Sequence, residues 1–181
     1  RQLHLDGLTL AEELGLWPKV AYELCELGCL ALETGDVHQA DHFHQRARQL
    51  AAEQSYRPIE QRSEIGLAIS ARHTGRFTVA EQHLRRWLAW NQQVRWEDGT
   101  ATVLTELGFL SEQRGDATGA LRHHLGGFRA AQRSGEPRVT ARSLDGLAGA
   151  CALNGWHKDA AHLLGAAARV RQAVGAPLPG L

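Results

Sequence analysis

The chain has 181 residues, 43% of them hydrophobic and 22% charged, a composition suited to a globular domain with a sizeable core. Twenty Lys and Arg balance twenty Asp and Glu, so the chain lacks the positive surplus from which nucleic-acid binding draws its affinity. No apolar run reaches the roughly 18 residues of a membrane span, and no basic-then-apolar leader opens the chain.

In chain order, RQLHLDGLTLAEELG reads as the second helix of a hairpin whose first helix is missing. Residues 1–16 are thus expected to be half a repeat, and the chain, which opens on Arg1, a fragment of a larger protein. From residue 17 the sequence repeats every forty residues. Turn glycines recur at Gly35, Gly75, Gly115 and Gly155, one Leu column at Leu27, Leu67, Leu107 and Leu147, and one Ala column at Ala40, Ala80, Ala120 and Ala160. After each Leu comes a small residue, Gly28, Ala68, Gly108 or Ala148, and three further on another: Ala31, Ala71, Ser111 or Cys151. A second punctuation column at 15, 55, 95, 135 and 175 reads Gly, Ser, Arg, Gly and Gly, and Pro18, Pro58, Pro137 and Pro177 follow it within three residues.

Gly just past a helix supplies a left-handed cap, and Pro suits the first turn of the next. Two stops per period predict two helices of roughly 15–18 residues each, and the small columns let them approach closely. Alternating Val, Ile or Thr runs are absent, so the expected fold class is all-α. Full repeats are placed at 17–55, 56–95, 96–135 and 136–175, with a tail at 176–181: about nine helices in a single domain.

LGCLALETGDVHQA at 27–40 and LGFLSEQRGDATGA at 107–120 resemble the tetratricopeptide (TPR) pattern. That family's period is about 34 residues; forty falls in the HEAT range, but the LG…GD…A core is the tetratricopeptide one with longer helices. The resemblance implies a right-handed α-solenoid of two-helix repeats whose first helices line a concave groove. SLDGLAGACALNGWHKDAAHLLGAAARVRQAVGAPLPG at 143–180 is similar to the terminal repeat of large bacterial LuxR-like and SARP-like transcriptional regulators. In those proteins an ATPase core and a DNA-binding domain accompany a C-terminal tetratricopeptide region. This chain would then be the cytoplasmic sensor or interaction arm. Its partners would be a protein or peptide segment, or the regulator's other domains. A small-effector receptor and a self-association scaffold forming a homodimer are the alternatives. No cofactor, catalysis, direct nucleic-acid contact or membrane contact is expected.

The search for chemistry returns no GxxxxGK[ST] loop, HExxH or GxSxG. His38 and His42 share a helical face beside Asp41, but a metal needs further ligands, and none is assigned. His4, His44 and His124 share a column with Leu84 and Leu164, which predicts partly buried rings with hydrogen-bonded nitrogens. Cys25 and Cys29 lie four apart on one face. Two thiolates there would suit a soft metal or an oxidation sensor, while packed small residues are the simpler reading. The odd cysteine count argues against a disulfide framework.

By resemblance, the groove rows are Tyr22, Arg62, Thr102 and Arg142; Cys25, Ile65, Thr105 and Asp145; an apolar strip of Cys29, Ile69 and Phe109; and Leu32, Arg72 and Glu112. Arg62, Arg72 and Arg142 would meet a carboxylate of a partner. The Lys and Asn set with which some relatives clamp a peptide C-terminus is absent. Trp87 replaces the Ala47, Gly127 and Ala167 of its column. It is expected to fill a hole at Gly126 and Gly127, with an exposed patch of Trp87, Trp90 and Trp96 as the alternative.

Overall fold

The forty-residue period takes shape as helical hairpins in a computed structural model, which describes residues 1–175. The helices are α1 (Gln2–Glu13), α2 (Trp17–Glu33), α3 (Val37–Glu53), α4 (Arg57–His73), α5 (Phe77–Gln93), α6 (Glu97–Gln113), α7 (Ala117–Ser134), α8 (Pro137–Leu153) and α9 (His157–Ala173). No strand occurs among the described residues. The tail at 176–181, with Pro177, lies outside them.

The turns show why these sequences stop and restart helices. Gly35, Gly75, Gly115 and Gly155 all have φ between 74° and 79°, a region closed to most side chains. In the two Gly–Asp turns the next residue then caps the following helix. Asp36 accepts from the Gln39 amide at 3.0 Å and Asp116 from the Gly119 amide at 2.8 Å, satisfying donors that a helix start leaves orphaned. In the second punctuation column Ser55 (φ 54°) and Arg95 (φ 57°) hold the same left-handed conformation without being glycine. Such strain costs an L-residue about 1–2 kcal/mol. Ser55→Gly should therefore stabilise the chain by about 0.5–1 kcal/mol, after the extra freedom of an unfolded glycine is subtracted; urea unfolding of the two proteins measures it.

The chain divides into two compact units, Arg1–His83 and Leu84–Leu181, with α5 contributing to both. In the first, α1 packs on α2, α2 on α3 and α3 on α4, and the first helices α2 and α4 also touch. The second repeats the scheme, with α6 on α7, α7 on α8, α8 on α9, and α6 against α8. The Leu and Ala columns form the seams: Leu27, Leu67, Leu107 and Leu147 are buried, as are Ala40, Ala80, Ala120 and Ala160. Four carboxylates also go inside, Glu23, Glu60, Glu64 and Glu106. Each has a cationic partner, as burial demands: Lys19 lies 2.6 Å from Glu23, Arg57 meets Glu60, Arg48 and His83 meet Glu64, and Arg142 meets Glu106.

Two expectations are corrected. Trp87 is buried, but the hole at Gly126 and Gly127 is closed by α6. A Cβ on Gly127 would meet Thr105 and the Ala101 carbonyl, and one on Gly126 would meet Leu104. Both glycines therefore serve the α6–α7 seam, while Trp87 packs edge-on against Trp90, their centroids 5.3 Å apart. Trp90 and Trp96 continue the edge-on chain at 6.0 Å.

The second correction concerns the histidine column. His4 Nδ1 sits 2.7 Å from Glu23 and His124 Nε2 2.9 Å from Glu112. His44 is wholly buried and neither ring nitrogen has a partner. The reason lies in its neighbours. Gly28 and Gly66 bracket the ring so tightly that a Cβ on either would come closer than 3.0 Å to it. They supply room and no free polar group. Gly108 and Gly146 bracket His124 in the same way.

These brackets expose a longer period. Glu26, Gly28, His44, Arg62 and Gly66 recur eighty residues on as Glu106, Gly108, His124, Arg142 and Gly146. The intermediate positions read Gly66, Ala68, Leu84, Thr102 and Glu106. Two hairpins together form the deeper repeat, and each unit holds one copy of the bracketed histidine.

Candidate functional site

On a first helix that packs against another first helix, only a narrow stripe stays open to solvent, and this decides which anticipated groove residues can touch a ligand. In the first unit, Tyr22 is exposed on α2 with the Lys19 ammonium 4.7 Å from its ring centroid. Arg62 on α4 is exposed; it pairs with Glu26 and brings a guanidinium nitrogen to 3.9 Å from the Cys29 sulfur. Cys29, Ile69, Leu32 and Arg72 are half-buried. Cys25 and Ile65 are closed in the seam.

The second unit follows the same rule. Arg142 is exposed on α8 and pairs with Glu106. Thr102, Phe109, Glu112 and Asp145 are half-buried. Phe109 stands edge-on to His124 at 4.9 Å, and Asp145 pairs with Arg171. Thr105 is buried: its hydroxyl donates to the Ala101 carbonyl at 2.9 Å and faces the Ser143 hydroxyl at 3.2 Å. The row of Cys25, Ile65 and Thr105 is thus interhelical packing, and only its last member, Asp145, reaches the surface. Sequence spacing puts a residue on a helix face; the crossing of the neighbouring helix decides whether that face is open.

The thiol pair has a definite polarity. Donation to Cys29, reinforced by burial, pushes the Cys25 thiol well above its ordinary range. The same hydrogen bond, with the Arg62 charge, brings Cys29 down to about 7 against the opposing effect of burial. Thiolates are the reactive form. Iodoacetamide should therefore modify Cys29 at lower pH than an ordinary thiol and spare Cys25 in the folded chain. Arg62→Gln removes a cation that favours the thiolate, so that pH should move up; mass-resolved labelling across pH measures it.

His38 and His42 are exposed and Asp41 pairs with Arg76 at 3.2 Å. No group of three or more metal-capable side chains occurs among the described residues. None of their helices is long and apolar enough to cross a membrane.

Solved structures share this arrangement. BtubC (BKLC) from P. vanneervenii superposes with a TM-score of 0.67 at 21% identity, over 99% of this chain and 75% of that one. A kinesin light chain of nearly identical TPR-like repeats from Podosopora anserina matches with a TM-score of 0.61 at 17% identity, over 96% of this chain and 86% of that one. The chain has a TPR-like fold. The apo form of RapI matches as well, with a TM-score of 0.67 at 12% identity; 86% of the TPR-like chain is covered, and it spans 57% of that protein. No protein-family profile matches the chain, and no curated protein does. At these identities the likeness is one of fold.

Proposed function

We propose that the chain is a non-catalytic protein-interaction arm of a bacterial transcriptional regulator, acting in the cytoplasm. The observation that carries the reading is the surface left on the first helices. Each unit offers a half-buried apolar residue on a first helix, Ile69 with Cys29 or Phe109, and an exposed Arg on another turn or helix of that layer, with Arg62 reaching Cys29 at 3.9 Å. Those guanidiniums, Arg62 and Arg142, are already held by Glu26 and Glu106. An acidic partner segment would set a second carboxylate against the outer face of each preorganised guanidinium, while its apolar side chains cover the strip. The resemblance of residues 143–180 to the ends of LuxR-like and SARP-like regulators supports the wider assignment.

Selection from a displayed library of linear peptides tests the interaction. Enriched peptides should place an acidic residue near an aromatic or aliphatic one. Arg62→Gln or Arg142→Gln should weaken them about tenfold, and Ile69→Asp or Phe109→Asp should abolish binding. Peptides that bind all these variants equally would remove the surface from consideration. The regulator assignment is read in the gene: a phosphate-binding loop and a helix-turn-helix in the same reading frame support it, and a frame lacking both refutes it.

A further inference from the structure

Three departures from the repeat converge on one cleft in the second unit. The first is Asn91, which stands in a column that otherwise reads Ala11, Ala51, Ala131 and, in the last helix, Arg171. It is wholly buried, and neither its Oδ1 nor its Nδ2 has a hydrogen-bond partner. An orphaned buried amide costs about 1–3 kcal/mol, which the alanines avoid. The second is Gly99, where the column otherwise reads Lys19, Ile59 and Val139; any Cβ there would come closer than 3.0 Å to the Asn91 amide. Gly99 thus makes room for a group that the fold does not need.

The third is Arg95, held at φ 57° in a turn column that otherwise reads Gly15, Ser55, Gly135 and Gly175. A non-glycine residue in this region is strained, as at Ser55, and here the strained position carries a guanidinium to a cleft. Asn91, Arg95, Arg129 and Arg133 all line a cleft of about 320 Å³, with Gly126 in its wall. Gly126 stands in a column that otherwise reads Asp6, Arg46, Arg86 and Ala166, and it leaves that wall low. Arg133 is engaged by Glu97 at 2.9 Å. The guanidiniums of Arg95 and Arg129 have no hydrogen-bond or ion-pair partner among the described residues. Two free guanidiniums and the unpartnered NH₂ of a buried amide are the donor set for an oxyanion, and the volume suits a small metabolite.

We propose that this cleft binds a small anionic molecule through a carboxylate or phosphate group, with Arg95 and Arg129 neutralising the charge and the Asn91 amide donating to an oxygen. The site stands apart from the first-helix surface and does not depend on the function proposed for it.

The test titrates the 181-residue chain with inorganic phosphate and, separately, with citrate, at constant ionic strength, while ¹H–¹⁵N spectra report the Asn91 side-chain amide and the arginine Nε–H signals. Saturation by either anion is the expected result. Phosphate alone marks a phosphate-bearing ligand and citrate alone a carboxylate. Arg129→Gln and Arg95→Gly, the latter adopting the glycine of neighbouring turns, should each weaken the saturating anion about tenfold. Asn91→Ala should raise the melting temperature in anion-free buffer and abolish the further rise on adding anion; an Asn of purely structural role would leave that anion-dependent rise unchanged. Non-saturating shifts with both anions, or equal saturation in the Arg95→Gly/Arg129→Gln protein, would overturn the proposal.

Discussion

Gly66→Ala is expected to destabilise the chain by about 2–3 kcal/mol, several times the effect of an ordinary helix Gly→Ala change and of opposite sign. Helix propensity alone would favour the alanine. Its Cβ, however, would fall closer than 3.0 Å to three atoms of the His44 ring, and the ring is wholly buried. Chemical unfolding gives the magnitude. The second column of evidence is internal to the sequence. Where that histidine position holds Leu84, the positions matching the two bracketing glycines hold Ala68 and Glu106, both of which carry a Cβ. His44→Leu should therefore recover more than half of the loss when combined with Gly66→Ala. A double-mutant cycle with no coupling between the sites would show that the clash is relieved elsewhere.

His44 should also make the chain acid-sensitive. Burial, with the Arg62 charge, lowers its pKa from 6.5 to about 4, and Asp41 offsets this only in part. The unfolded chain takes up the proton at the ordinary value, whereas the folded chain refuses it until about pH 4. Above 6.5 the residue contributes no pH dependence. Between 6.5 and about 4 stability falls, and below about 4 the loss is complete at about 3 kcal/mol. Removing the imidazole also removes two unpartnered buried nitrogens, so His44→Leu should gain about 1–3 kcal/mol at neutral pH. Its stability should then vary less than that of the parent between pH 7 and 4 by about 3 kcal/mol. Parallel slopes for the two proteins in urea titrations at pH 7, 5.5 and 4 would show that His44 carries no proton linkage.

The helices were legible because their ends depend on backbone chemistry that few residues satisfy. Four glycines at forty-residue steps mark the left-handed turns, and the columns extend that reading to Ser55 and Arg95, which no local rule would flag. The buried Leu and Ala seams followed from the same register. The candidate surface was legible only in part. Periodicity put Cys25 and Thr105 on the same face as Cys29 and Phe109, yet the crossing of α2 with α4 and of α6 with α8 buries the first two and leaves the others half open. The partners of buried polar groups were invisible as well. One column gives a paired His4, a half-paired His124 and an orphaned His44, because the difference comes from neighbours on other helices. The Asn91 cleft had a signal within reach, an amide where Ala11, Ala51 and Ala131 share its column, beside a glycine where Lys19, Ile59 and Val139 do. Reading each column for its exceptions would have found it.

The bracketed imidazoles constrain how a protein of this kind can change in length. Loss or gain of one forty-residue block would shift the alternation out of phase and set a histidine against alanine and glutamate positions. A block of eighty would leave every ring between its glycines. For the two bracketed rings, His44 and His124, the unit that can be exchanged without a packing defect is therefore the hairpin pair.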